Sequence, residues 1–351
     1  MSAVATPAGR RPSALAGVTR RREPLLVVVT IVVFVITSVL QPAFGSGGNI
    51  SFLLADAMPL AIVAVGQTIV MLVRGIDVSV APIFGIAAVS TGFLAQDYQS
   101  SVLLMLPLAL GIGIGLGIVN GLFVAYARIP PIITTLGTFT VYGGIQELIC
   151  NTRTVVTVPS SYVTLGNRNL FGDIPYMLVP GLIVTAVMAL VLWRTKWGRS
   201  LYAVGNNADA AFRAGIRVNA VLVSAYAVCG MLAGLGGLAF LVHIDSAGYT
   251  TGTEININLT SIAAALIGGT TLLGGKGGVI GGFLAALFLE VVTEAVIVAG
   301  IPPVWEYAAV GVLLLAAILI DAFQNRGRSL RGALTERIAG GRGLPAERGA
   351  Q

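Results

Sequence analysis

Charge is what this chain has least of. Asp, Glu, Lys and Arg make up 10% of its 351 residues, where a soluble domain carries about 25%, and the mean hydropathy is +0.91. That deficit excludes a water-solvated globule and makes lipid the solvent. Histidine occurs once and cysteine twice. From so few residues neither the Cys/His spacing of a metal site nor the Ser/His/Asp order of a hydrolase can be assembled. Cys150 and Cys229 fall in or at the end of apolar runs, so packing, not a disulfide, is their expected role. Aromatics are sparse at 7%, and apart from Phe323 none lies in the basic tails. The net charge of +6 therefore does not describe a nucleic-acid footprint.

What is present is a succession of apolar runs at about 24–40, 52–73, 80–95, 101–126, 132–150, 176–193, 220–242, 258–273, 278–299 and 304–321. Ten membrane helices are expected, the third and eighth short enough to be partly re-entrant. The fold class is thus an all-α integral membrane protein, with residues 1–23 and 323–351 as cytoplasmic tails and 24–322 as the membrane domain. The second tail is Gly- and Arg-rich and reads as disordered. With the N-terminus inside, nineteen of the 21 Lys and Arg residues lie on the cytoplasmic side. Only Arg153 and Arg168 fall outside, which favours an even number of spans with both termini cytoplasmic in a bacterial plasma membrane. The Arg-rich start also resembles a signal peptide, but the first run is about 17 residues long and Gln41-Pro42-Ala43-Phe44 offers no clean cleavage site, so it reads as an uncleaved span.

Clustered polar residues inside apolar runs need partners, because a polar group left alone in hydrocarbon is costly. Gln67 and Thr68 precede Arg74-Gly-Ile-Asp77-Val-Ser79. Thr134, Thr135, Thr138, Thr140, Tyr142, Gln146 and Glu147 follow Pro130-Pro131, and Asn256, Asn258, Thr260 and Ser261 open the eighth run. Hydroxyls and amides suit a neutral polyhydroxylated solute, which makes Gln67, Thr68, Thr134, Thr135, Thr138, Asn258 and Thr260 candidates for a translocation pathway. The alternative is that they bond back to their own helix carbonyls. Glu290 and Glu294 share a helix face at i, i+4 and are candidates for a cation site, or face a watery cavity or a polar neighbour. His243 reads as interfacial. Glycines spaced by four, from Gly113 to Gly121 and from Gly230 to Gly234, are expected to let helices approach closely. Gly234–Ala239 and Thr270–Gly277 are near misses to dinucleotide and phosphate-loop motifs, and neither has the context or the residues of a nucleotide site.

Between two apolar runs lies a polar loop, Arg194 to Asn219, with five basic residues. Asn206 or Asn207 is positioned to cap a short helix with Asp209 in its first turn and Gly215 as its left-handed stop. Ala208, Ala211, Phe212 and Gly215 share a face by spacing. The loop is either a docking element for a soluble partner or a plain connector.

Four segments carry a resemblance. They are Arg74–Val80; Asn120-Gly121 with Ile129–Thr138; Trp197–Asn207 through Arg213–Ile216; and Ile262-Ala-Ala264 to Ile267-Gly268-Gly269-Thr270 with Gly274-Gly275. In that order they are similar to the permease family of bacterial ABC importers for ribose, xylose, galactose and related sugars. The resemblance implies a ten-span permease of the type shared with large-loop vitamin importers, not itself an enzyme and without cofactor or metal. It implies work as a dimer with a second copy or paralogue, a cytoplasmic ATPase, and a periplasmic or lipoprotein sugar-binding protein. It also makes the loop a coupling helix, with Asn206, Asn207, Asp209, Phe212, Arg213, Gly215 and Arg217 facing the ATPase, and Arg74, Asp77, Ser79, Gly268 and Gly269 as structural motif residues. Ala81 stands where the family usually has glycine, and Asn258 and Thr260 replace its usual acids. Branched-chain amino acids or nucleosides are the alternative cargo, and an ion-coupled carrier is the alternative class. Three expectations follow: weak intrinsic affinity for a neutral monosaccharide, a possible Arg74–Asp77 pair at the end of the second span, and a loop helix that packs little against the membrane core.

Overall fold

A computed structural model describes residues 22–302, 304–319 and 322. The tail residues 1–21 and 323–351 lie outside the described residues, so the tail assignments above are not addressed by the structure. Helices stand at all ten expected runs: α1 (Arg22–Leu40), α2 (Gly47–Leu72), α3 (Val80–Tyr98), α4 (Val102–Ala125), α5 (Pro131–Cys150), α7 (Leu178–Arg194), α10 (Val218–Ile244), α11 (Ile257–Ile267), α12 (Val279–Val298) and α13 (Val304–Leu319). Short helices α6 (Ser160–Gly166), α8 (Lys196–Asn206) and α9 (Ala208–Arg213) and a small antiparallel hairpin of β1 (Asn169–Phe171) and β2 (Ile174–Pro175) fill the connections.

Six of the described helices are long and apolar enough to cross a membrane alone, and a seventh span arises if α7 and α8, bent by 75° at their junction, count as one. α5 is 20 residues long but its Thr, Gly and Gln content lowers its hydropathy. α3, expected to be short, has 19 residues. The eighth run does end early: α11 has 11 residues, about 16 Å at 1.5 Å per residue, roughly half a hydrocarbon core.

α2 and α10 form the centre. The most apolar stretch of α2 is 89% buried, that of α1 only 6%, so α1 lies at the periphery with its Leu, Val and Ile side chains outward. α4 lies against α10 along the expected glycines. A Cβ at Gly113, Gly117, Gly230 or Gly234 would run into the carbonyl oxygen of Gly230, Tyr226, Gly113 or Ala109 respectively, so both helices need small residues at this spacing. Gly111 and Gly115, on the other face, have open space. Cys150 and Cys229 are free and buried, as packing residues.

The connections gather at two ends. At one, the turn after α2 meets the starts of α3 and α5, the ends of α4 and α8 and the 268–278 segment. At the other, the hairpin meets the start of α2, where Ser51 Oγ donates to Asn169 Oδ1 (2.8 Å), and Val155 pairs with Ala247 after α10. Arg74, Arg128, the loop basics and Lys276 all lie at the first end, and Arg153 and Arg168 at the second. The charge grouping made from sequence is therefore a spatial grouping as well.

Candidate coupling site and solute cavity

The Arg74–Ser79 turn is built around a fully buried carboxyl. Asp77 Oδ1 accepts from Ser79 N–H (2.9 Å) and Ser79 Oγ–H (2.6 Å). Asn120 Nδ2, near the end of α4, donates to Ser79 Oγ (2.7 Å) and at 3.5 Å to Asp77 Oδ2. From α2, the Gln67 amide donates to Asp77 O (3.2 Å) and accepts from Asp77 N–H (3.1 Å). Thr135 Oγ1, in the first turn of α5, donates to Ile76 O (3.1 Å). One turn thus ties α2, α3, α4 and α5 together through buried hydrogen bonds, with the Asn120 Oδ1 left without a partner among the described residues. Burial pushes the Asp77 carboxyl up to about 6, although the Ser79 and Asn120 hydrogen bonds pull the other way.

Arg74 does not pair with Asp77, contrary to one expectation. It adopts a left-handed backbone (φ 65°) and turns away, donating from Nε to Gly205 O (2.6 Å) and from Nη2 to Asn206 O (2.7 Å). A guanidinium over the last carbonyls of α8 satisfies groups that the helix itself cannot. The same point is reached from the 268–278 segment: Gly275 N–H donates to Leu72 O (2.9 Å), Asn206 Nδ2 to Gly275 O (3.4 Å) and Tyr202 OH to Gly277 O (2.9 Å). Gly274 and Gly275 have φ of 73° and 69°, which only glycine adopts at low cost. Gly268 caps α11 and its backbone lies against Gly281 of α12, while Gly269 has φ 97°.

α8 is therefore part of the core. Thr195 caps it, accepting from Gly198 N–H (3.1 Å), and Trp197 Nε1 donates to Ser224 Oγ on α10 (2.7 Å). Leu201 and Val204 are buried. The expectation that the loop packs little thus applies to α9 alone: α8 packs, and α9 projects. Asn207, not Asn206, caps α9, its Oδ1 accepting from Ala210 N–H (2.9 Å). Gly215 has the expected left-handed φ, 82°. The shared apolar face divides, with Ala211 buried and Phe212 72% exposed. Asp209, Arg213 and Arg217 are also exposed.

The pathway candidates do not converge. Gln67, Thr68, Thr134, Thr135 and Thr138 are buried between helices; Thr68 and Thr138 bond back to carbonyls four residues earlier. Asn258 is half-buried. Thr260 alone of the seven borders the cavity that lies elsewhere, between α2, α10, α11, α12 and α13. This cavity has a volume of about 350 Å³ and is bordered among others by Asp56, Asn256, Thr260, Glu290, Glu306 and Tyr307. Asp56 precedes Leu72 by sixteen residues, about 24 Å along α2, so the cavity belongs to the half of the bundle away from the Arg74 turn. Glu290 faces it and Glu294, one turn on, does not border it. His243, in the last turn of α10, turns its side chain inward, with Nε2 3.5 Å from Asp56 Oδ1. Among the described residues no three of His, Cys, Asp or Glu converge closely enough to hold a metal ion.

Residues 49–318 match the family described as "Branched-chain amino acid transport system / permease component". The chain belongs to that permease family. It is also similar to the autoinducer 2 import system permease protein LsrC of Escherichia coli O9:H4 (strain HS), 34% identical over 302 residues covering 86% of each chain. The protein of that name in Yersinia enterocolitica serotype O:8 is 32% identical over 300 residues, 86% of this chain and 82% of that one. The one in Photorhabdus luminescens is 32% identical over 325 residues, 92% and 95%. No solved structure shows a significant match.

The permease contains two groups that sequence reasoning passed over. Tyr202, Gly205 and Gly277 complete the Arg74 contacts, which no spacing rule indicates because the three segments are far apart in the chain. Asp56 and Glu306 border the cavity with Glu290. Asp56 was detectable as a lone acid in an apolar run, since intramembrane carboxyls are costly and mark sites.

Proposed function

We propose that this permease is the membrane-spanning subunit of an ATP-driven importer and moves a small neutral, sugar-like solute inward. Residues 24–322 form the membrane domain, and the end carrying Arg74, α8 and α9 faces the cytoplasm. A separate ATPase supplies the energy, an external binding protein delivers the solute, and a second permease copy or a paralogue completes the pathway.

The observation that carries this reading is the contrast between α8 and α9. α8 is bonded into the core through Arg74, Tyr202 and Trp197, whereas α9 holds Phe212 out of it. An exposed aromatic on a short capped helix, joined rigidly to the central spans, is suited to enter a groove of a soluble partner and pass its motion on. Burying Phe212 there would contribute about 1.5–3 kcal/mol, and Arg213 and Arg217 would meet acidic groups at the rim. The sugar-like cargo is supported by the relatives' names, which give autoinducer 2 as what those proteins import, and by the hydroxyl and amide groups bordering the cavity.

Site-directed cross-linking tests the reading. The native cysteines are buried, so a single Phe212→Cys variant gives a clean signal. It is expected to cross-link to the ATPase, while Phe171→Cys, equally exposed on the hairpin at the other end, is not. Cross-linking from position 171 and not from 212 would reverse the orientation and remove α9 as the docking element.

A further inference from the structure

We propose that the cavity between α2, α10, α11, α12 and α13 is a solute site that selects by charge: it admits a neutral polyhydroxylated molecule and refuses the anionic counterpart of the same size. The proposal rests on the permease reading and specifies the cargo's chemistry. At about 350 Å³ the cavity lies at the small end of the range for small-molecule sites.

Its walls are mostly apolar, from residues such as Leu60, Phe240, Ile257 and Leu314, with two kinds of polar group set among them. Asn256 and Thr260 from the start of α11, with Thr293 of α12, present amide and hydroxyl groups that both donate and accept. Asp56, Glu290 and Glu306 present carboxyls from three different helices. The ring of Tyr307 is held in place by its OH, which donates to Glu254 O (2.8 Å), and it offers an aromatic surface to the carbon face of a ring.

Among the described residues no Lys or Arg borders the cavity. A hydroxyl-rich neutral solute would bring donors to these acceptors. A carboxylate or phosphate would bring acceptors to acceptors, with no cation to offset its charge, which is how a site rejects a ligand of the right shape. Among the described residues the acids do not converge as a metal site does, and the cavity is a partly open volume with polar groups set in apolar walls.

Saturation-transfer NMR on the purified permease in nanodiscs is suited to weak binding. The probes are neutral pentoses and hexoses, each paired with its aldonate. At millimolar concentration the neutral sugars are expected to show transfer, with at least one of them tenfold above its aldonate. Glu290→Gln/Glu306→Gln should bring the aldonate to within about threefold of the sugar, and Thr260→Leu, which fills the cavity, should abolish the sugar signal. If the double variant does not fold, Glu306→Gln alone, at a half-buried position, should shift the ratio in the same direction. Equal transfer to sugars and aldonates in the unmodified protein would overturn the proposal. So would no transfer to any neutral probe, an unchanged ratio in the charge variants, or an unchanged sugar signal in Thr260→Leu. ATP-driven uptake by the reconstituted complex is a separate readout: its loss would refute the permease reading, and its persistence with selectivity unmoved by these variants would refute only the charge filter.

Discussion

At the scale of the residue, Asp77 and Arg74 show how one short motif serves two tasks. Asp77 is wholly buried and its carboxyl is raised from 3.8 to about 6. The native state thus holds this proton more tightly than the unfolded chain does, so the contribution to stability falls as pH rises from about 4 to about 6 and is level above that. Asp77→Asn should remove this dependence, since its amide oxygen can still accept both Ser79 bonds. Thermal unfolding in detergent between pH 4 and 7 checks it: a difference between wild type and variant that does not change with pH would contradict the buried-carboxyl account. Arg74→Ala should cost about 1–3 kcal/mol through two hydrogen bonds from a charged donor, and Arg74→Lys should recover part of that, because one ammonium cannot reproduce the fork. Equal melting temperatures for wild type and Arg74→Ala would show the contacts to be without consequence. The sequence marked Arg74 and Asp77 as important but paired them wrongly. Three residues apart at a helix end they look like neighbours; the left-handed turn at Arg74, set by the meeting of three distant segments, separates them.

At the scale of the element, α8 and α9 divide what the sequence presented as one loop. The Asn cap, the Gly215 stop and the exposure of Phe212 were legible from spacing and residue type, because capping is local chemistry. The burial of α8 was not, since it depends on Ser224, Gly277 and Arg74, between 27 and 131 residues away in the chain from the α8 residues they bond. The division sharpens the mutational expectation. Phe212→Ala should leave melting within about 0.5 kcal/mol of wild type, as an exposed substitution does, yet weaken co-purification of the ATPase and raise ATP hydrolysed per solute moved. Unchanged association and unchanged coupling would return α9 to a connector. Gly205→Ala should behave oppositely. A Cβ there would collide with Leu72 O and lie 2.6 Å from Gly275 N, so stability should fall, by about 1–3 kcal/mol or more, with or without a partner present. Similar melting of this variant and wild type would mean that the α8 junction is looser than the contacts indicate.

At the scale of the whole molecule, hydropathy located every long helix and charge sorted the connections to two ends, because both depend on the solvent and not on tertiary detail. Which polar residues face a cavity was not recoverable in the same way. Thr68, Thr135 and Thr138, which looked like a pathway, spend their hydroxyls on helix carbonyls or on the Asp77 turn, and the open volume falls where α11 begins beside α12 and α13. The two ends then have separate tasks: a rigid junction with a projecting α9 at one, and a polar cavity reaching from the other. On the proposed reading, both tasks draw on a source of energy outside this chain. The most direct measurement is solute uptake into proteoliposomes holding the permease, with the ATPase, the binding protein and ATP each omitted in turn. Uptake of a neutral sugar only when all are present is the expected result. Uptake by the permease alone, driven by a proton or sodium gradient and abolished by Glu290→Gln, would contradict it.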